Sequence, residues 1–83
     1  MKNKINQQDF LIHFSKQFDE TPIESLSFDT ILEDLEEWSS LVGLSVLAMI
    51  QDQYGIRLFH KDIECVRTLG NLYDLVCKKS GEG

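Results

Sequence analysis

Phe10, Phe14 and Phe18 recur every four residues near the start of the chain, with Leu11 beside them. That spacing returns side chains to one face of a helix. Polar Gln7, Gln8, Lys16 and Gln17 fall among them, so the pattern predicts a first helix over residues 5–18. Residues 19–27 break it. Pro22 cannot sit inside a helix, and it biases the residue before it toward extended backbone. Beyond this connector, Phe28, Ile31, Leu32 and Leu35 are apolar positions able to pin a long loop onto a core. A loop of that length in a small domain is expected to carry a role or its own packing.

A second long helix is predicted over residues 41–54. At about 100° per residue, Gly43, Val46, Leu47, Ile50 and Tyr54 cluster on one side, and Leu41, Ser45, Ala48 and Asp52 on the other. The first set is expected to face the core and the second to face out. Gly55 suits a left-handed stop, and Ile56 and Leu58 then alternate with Arg57 in a short extended link. A brief helix follows over residues 60–65, anchored by Ile63 and Val66. Thr68 is a good N-cap for a last helix over residues 69–79, where Leu69, Leu72, Tyr73, Val76 and Cys77 keep the 3/4 spacing. Lys78 and Lys79 complement its negative end, and residues 80–83 are expected to fray. The reading is an all-α fold: three longer helices, one short one, and a long loop between the first two.

Composition narrows what such a fold can do. Eighty-three residues make one small domain with a modest core, too little for a deep enclosed active site. A net charge of −6 leaves no basic face for nucleic acid. Eight acids and no Lys or Arg lie between Asp19 and Glu37. They read either as a solvated loop or as a docking field for a cationic partner. Cys65 and Cys77 lack any metal-ligand or CxxC spacing and read as free thiols. Neither a signal peptide nor a membrane-length apolar run is visible, so a cytoplasmic protein without membrane insertion is expected.

No enzyme constellation emerges. His13 lies in the first helix pattern and His60 in the short one, and no spacing links either to a serine nucleophile. There is no Gly-rich phosphate loop and no zinc spacing. The remaining chemistry is the junction Trp38-Ser39-Ser40-Leu41, behind the acids Glu33, Asp34, Glu36 and Glu37. A hydroxyl at a helix start lies beside the positive end of the dipole, where free N–H groups would meet an attached phosphate. Either serine could instead serve as the N-cap. Val42 and Gly43 stand where a capping box would need Glu or Gln.

From this point the chain resembles the acyl carrier proteins. Ser39-Ser40-Leu41 stands where that family has Asp-Ser-Leu at the start of its second helix. Leu44, Val46, Leu47 and Ile50 fill the helix's apolar positions, and Tyr54-Gly55-Ile56 resembles its aromatic ending. Asp62-Ile63 and Thr68-Leu69-Gly70-Asn71-Leu72 resemble the later helices. Upstream, Leu35-Glu36-Glu37-Trp38 is similar to the approach in carriers outside housekeeping fatty acid synthesis. The likeness spans residues 5–79. It rests on the order and spacing of motifs that are individually weak.

The resemblance implies a four-helix bundle carrying acyl groups as thioesters on a 4′-phosphopantetheine arm. By register the attachment residue is Ser40, which precedes Leu41 as the family serine precedes its leucine. The implied partners are a phosphopantetheinyl transferase, an acyl-loading enzyme, and acyl-transferring or synthase enzymes, with the carrier itself a monomer and not an enzyme. Two departures stand out. Ser39 replaces the motif aspartate, and the outward face of the second helix (Ser45, Ala48, Gln51, Asp52) holds a single acid. The expectation is therefore a specialised pathway, with polyketide, lipid-tail or amino-acyl chemistry as candidates. A dedicated partner would dock on Leu41 and Ala48 with Ser45 and Asp52, and Glu36 and Glu37 would replace part of the missing field. Leu44, Leu47, Ile63 and Val66 are expected as core that could also shelter a short acyl chain. The rival reading is an unmodified helical interaction module, docking through Leu41 and Ala48, with Ser40 only an N-cap.

Overall fold

The computed structural model describes residues 5–81. Four α-helices stand among them: α1 (Gln7–Ser15), α2 (Ser40–Tyr54), α3 (His60–Cys65) and α4 (Leu69–Gly81), with short 3-10 turns at Ile23–Ser25 and Leu32–Asp34 in the long loop. The fold is a small all-α bundle. No helix of the described residues is long and apolar enough to cross a membrane.

The first helix is shorter than its phenylalanine pattern. Asn6 stops it at the front, its side chain accepting the Asp9 N–H at 2.9 Å. At the back the bonding tightens to i→i+3, with Gln17 and Phe18 N–H donating to the carbonyls of Phe14 and Ser15. Phe18 is buried regardless. A tightened turn leaves it near its helical place, so the apolar period outlasts the helix.

The last helix is longer than expected. Ser80 and Gly81 are helical rather than frayed; residues 82–83 lie outside the described residues. Its front end carries Thr68 as N-cap, in a reciprocal pair with Asn71. The Thr68 hydroxyl accepts the Asn71 N–H at 3.0 Å, and the Asn71 carboxamide accepts the Thr68 N–H at 3.2 Å.

The long loop is stitched to that same end. Ile31 and Thr68 form an antiparallel bridge. Leu32 donates to the Arg67 carbonyl at 3.0 Å, Leu69 to Thr30 at 2.9 Å, and Gly70 to Phe28 at 2.9 Å. Loop carbonyls thereby accept the first two N–H groups of α4, which a helix cannot satisfy by itself. Of the expected pins, Leu32 is buried, Phe28 and Leu35 pack half-buried against the core, and Ile31 contributes through its backbone.

One apolar cluster joins Phe10, Phe14 and Phe18 to Val46 and Ile50 of α2, Ile63 of α3, and Leu69, Leu72, Tyr73 and Val76 of α4. Trp38 closes it on the loop side, its ring 6.4 Å from those of both Phe14 and Phe18 and within 25° of parallel to each. The inward face of α2 is wider than its periodicity indicated. Met49 is buried as well, because α1 lies along that edge. Tyr54 is only half-buried at the helix end, against Phe10. Gly55 ends α2 at φ 68°, ψ 21°, the left-handed conformation that glycine adopts without a Cβ penalty.

Candidate functional site

The junction after Trp38 gives its two serines different roles. Ser39 is extended and is the N-cap of α2: its hydroxyl accepts the Val42 N–H at 3.2 Å. Its carbonyl accepts the Gly43 N–H at 2.8 Å. Ser40 is the first helical residue and is exposed. Its hydroxyl enters none of the described hydrogen bonds, so the cap role considered for Ser40 belongs to Ser39. The physical reason is reach. An N-cap side chain bends forward to the N–H two or three residues on, whereas a residue already in the helical turn points its side chain away from those donors.

The helix end itself is left open. The N–H groups of Ser40 and Leu41 have no partner among the described residues, and the first turn of α2 holds no acid. The other helices are covered differently. Asp9 lies in the first turn of α1 and Asp62 in that of α3, and loop carbonyls cover α4. No acid of its own first turn and no loop carbonyl covers the positive end of the α2 dipole, which favours an anion, while Glu33 and Glu64 line the adjoining cleft.

Beside Ser40 lies a cleft of about 200 Å³ between α2, α3 and the turn at Leu32–Asp34. Leu32, Trp38, Ile63 and Val66 form its apolar walls, and Gly43 opens its floor. Glu33, His60 and Glu64 are its polar lining, with the two serines at the mouth. Of Leu44, Leu47, Ile63 and Val66, expected as core that could also shelter an acyl chain, Leu44 departs from the expectation. Ile63 and Val66 do line the cleft, but Leu44 is 51% exposed and Leu47 packs into the core. Leu44 stands beyond the edge of the buried arc of α2, so its apolar character marks surface.

His60 was not legible as part of this site. Its Nδ1 lies 3.1 Å from a Glu64 carboxylate oxygen, one helical turn along α3. The i,i+4 spacing of the two was the available signal. What sequence spacing does not carry is that α3 turns this pair toward the Ser40 mouth. Ser40, His60 and Glu64 therefore share a cleft, yet no described hydrogen bond joins His60 to Ser40, so the nucleophile–base contact of a hydrolase is not formed. Among the described residues no group of three or more His, Cys, Asp or Glu is placed to hold a metal ion.

The residues expected to dock a partner fall into three places. Leu41 projects beside Ser40 and is 74% exposed. Ser45, Ala48 and Asp52 lie on α2 as one wall of an open groove whose other wall is His13 of α1 with Lys16 and Gln17 of the turn that ends it. Ser45 is half-buried there. The outward face of α2 is thus one side of a channel, with cationic Lys16 across from Asp52. Glu36 is exposed. Glu37 is structural, since its two carboxylate oxygens accept the N–H groups of Asp19 at 2.8 Å and Glu20 at 2.6 Å. That pair of bonds ties the end of α1 to the approach to α2.

Two tyrosines hold the opposite side of the bundle. Tyr73 is buried and its hydroxyl donates to the Ile5 carbonyl. Burial first, then a hydrogen bond and charge interaction with Cys77, push its hydroxyl up to about 12. Burial also raises Tyr54, with Asp9 and Cys77 adding to it. Cys65 and Cys77 are both free thiols.

No known family model matches the chain, and no curated protein matches it significantly.

Proposed function

We propose that the chain is an acyl carrier, modified on Ser40 with a 4′-phosphopantetheine arm that holds acyl groups as thioesters. The observation that carries this reading is the division between the serines. One hydroxyl is occupied in capping, and the next is exposed at an uncovered helix N-terminus beside a small cleft. In the modification the Ser40 oxygen attacks a phosphorus of coenzyme A. The bond to the departing adenosine bisphosphate breaks, and the transferase takes the serine proton and supplies Mg²⁺. The carrier offers only an accessible hydroxyl and a helix end. The resulting phosphodiester anion gains about 0.3–1 kcal/mol from the dipole at an exposed site.

A specialised pathway goes with the sparse charge on α2. Asp52 is the lone acid on its outward face, and Lys16 stands across the groove from it. Several surface charges acting together govern encounter rate and partner choice more than affinity. A loading enzyme adapted to a strongly acidic helix would find little to steer toward here. A dedicated partner that covers Leu41 fits the exposed surface better.

The rival reading is an unmodified interaction module. Exposed Leu41, Leu44 and Phe59 favour it, at 74%, 51% and 58% exposure. It leaves the free Ser40 hydroxyl without a role, because Ser39 already caps the helix.

The test is to incubate the protein with coenzyme A, Mg²⁺ and phosphopantetheinyl transferases, a broad-specificity enzyme and the host's own, and to measure intact mass. The expected result is the gain of one phosphopantetheine, retained in Ser39→Ala and lost in Ser40→Ala. A folded protein that gains no mass with either transferase is the module.

A further inference from the structure

The cleft at Ser40 poses an electrostatic problem for the modification proposed there. A phosphodiester on Ser40 adds a negative charge to a mouth already lined by Glu33 and Glu64. Among the lining residues, His60 alone can carry a positive charge. Its Nδ1 faces Glu64 at 3.1 Å, and its Nε2 has no described hydrogen-bond partner. The side chains of His60 and Glu64 are 45% and 64% exposed, so both reach solvent.

Resting on the carrier reading of Ser40, we propose that His60 is a positioning residue for the phosphate of the arm. As imidazolium it bridges Glu64 and the phosphate, and it lets go when deprotonated. Glu64 holds one ring nitrogen, which fixes the ring's orientation. The phosphate takes the other nitrogen, supplemented by the open N–H groups of Ser40 and Leu41. The remaining charges around His60 are Glu33 in the same cleft, Lys61 and Asp62 beside it on α3, and Asp34 and Arg67 in the adjoining trough, which Glu33 and Glu64 also line. Lys61 is exposed and does not line the cleft, so it does not replace the imidazole.

The consequence is a pH-dependent hold on the root of the arm. Below the His60 pKa the phosphate is clasped against α3 and the arm leaves the surface over the cleft. Above it, the carboxylates repel the phosphate and the arm swings from a looser root. Linkage fixes the sign: a phosphate bound by the imidazolium must raise the His60 pKa.

The test follows both histidines by NMR through a pH titration, in the unmodified protein and in Ser40→phosphoserine made by genetic encoding. The phosphopantetheine form is added wherever a transferase yields it. His13, across the bundle in the groove between α1 and α2, is the internal control. The His60 midpoint is expected to rise with the phosphate and that of His13 to stay. His60→Gln should broaden the spread of arm orientations, measured by a spin label on the thiol of the phosphopantetheine form. In Glu64→Gln the phosphate-induced rise persists.

An unmoved His60 in Ser40→phosphoserine overturns the clasp and leaves the carrier reading intact. Failure of every transferase to add mass overturns the carrier reading, and the phosphoserine protein still decides whether His60 meets a phosphate.

Discussion

The Phe28 carbonyl oxygen accepts the Gly70 N–H at 2.9 Å, and a Cβ on Gly70 would lie 2.8 Å from that same oxygen. The long loop and the start of α4 are therefore in backbone contact at a position where the helix has no side chain. Gly70→Ala must push the loop away. The expected loss is about 1–3 kcal/mol, in the range of overpacked cores. For a domain of this size each kcal/mol lowers Tm by roughly 4–8 °C. Gly43→Ala is the contrast. Its Cβ would meet Trp38 at 3.9 Å and Ile63 at 4.0 Å, ordinary contact. It should be neutral or stabilising by up to about 1 kcal/mol through helix propensity. Thermal unfolding of the two variants checks this; equal effects would mean the loop is not seated as described.

Ser39 and Ser40 differ in what they hold, so alanine should separate them. Ser39→Ala removes the cap on Val42 and is expected to cost about 0.5–2 kcal/mol. Ser40→Ala removes no described bond and should stay within about 0.5 kcal/mol of the parent. Urea unfolding at one pH measures both. A larger loss in Ser40→Ala would return the cap to that residue and weaken the case for a free hydroxyl.

Glu37 and Glu36 are expected to part in the same way. Glu37→Ala leaves the Asp19 and Glu20 N–H groups without their acceptors. It should destabilise by roughly 1–3 kcal/mol, toward the lower end because those donors are exposed to water. Glu36→Gln should leave the unfolding midpoint unchanged. Glu36→Gln is thus the clean probe of any docking field, read as the rate of loading by a partner enzyme at low and high salt. The docking idea fails if that rate is the same in Glu36→Gln as in the parent.

Stability should fall on the alkaline side. Tyr73 is pushed up to about 12, chiefly by burial, against an unfolded value near 10. The folded state therefore holds a proton that the unfolded chain releases. The stabilisation is complete below about pH 10 and is lost as pH rises from there toward about 12. Unfolding curves between pH 9 and 12 should show the midpoint dropping above pH 10, less steeply in Tyr73→Phe. That variant carries its own loss at all pH values, from the bond to the Ile5 carbonyl.

Much of this protein is local physics and could be read from the chain. The α3 span 60–65, the Thr68 cap and the Gly55 stop each follow from residues within one turn of themselves. So does the helical period that turns Val46, Leu47 and Ile50 inward. Local rules also misjudged the ends where competing local bonds intervene. Asn6 starts α1 later than its apolar pattern, and a tightened turn ends it before Phe18. Tertiary structure decided the rest, because it depends on groups far apart in sequence meeting across space. Glu37 grips the backbone of Asp19 and Glu20, Phe28 and Thr30 cover the end of α4, and α1 buries Met49. The choice between Ser39 and Ser40 as cap turned on where one backbone leaves its extended path. The cleft at Ser40, with His60 and Glu64 beside it, exists only once α3 packs against α2, since no spacing along a chain states which way a short helix turns its charged face.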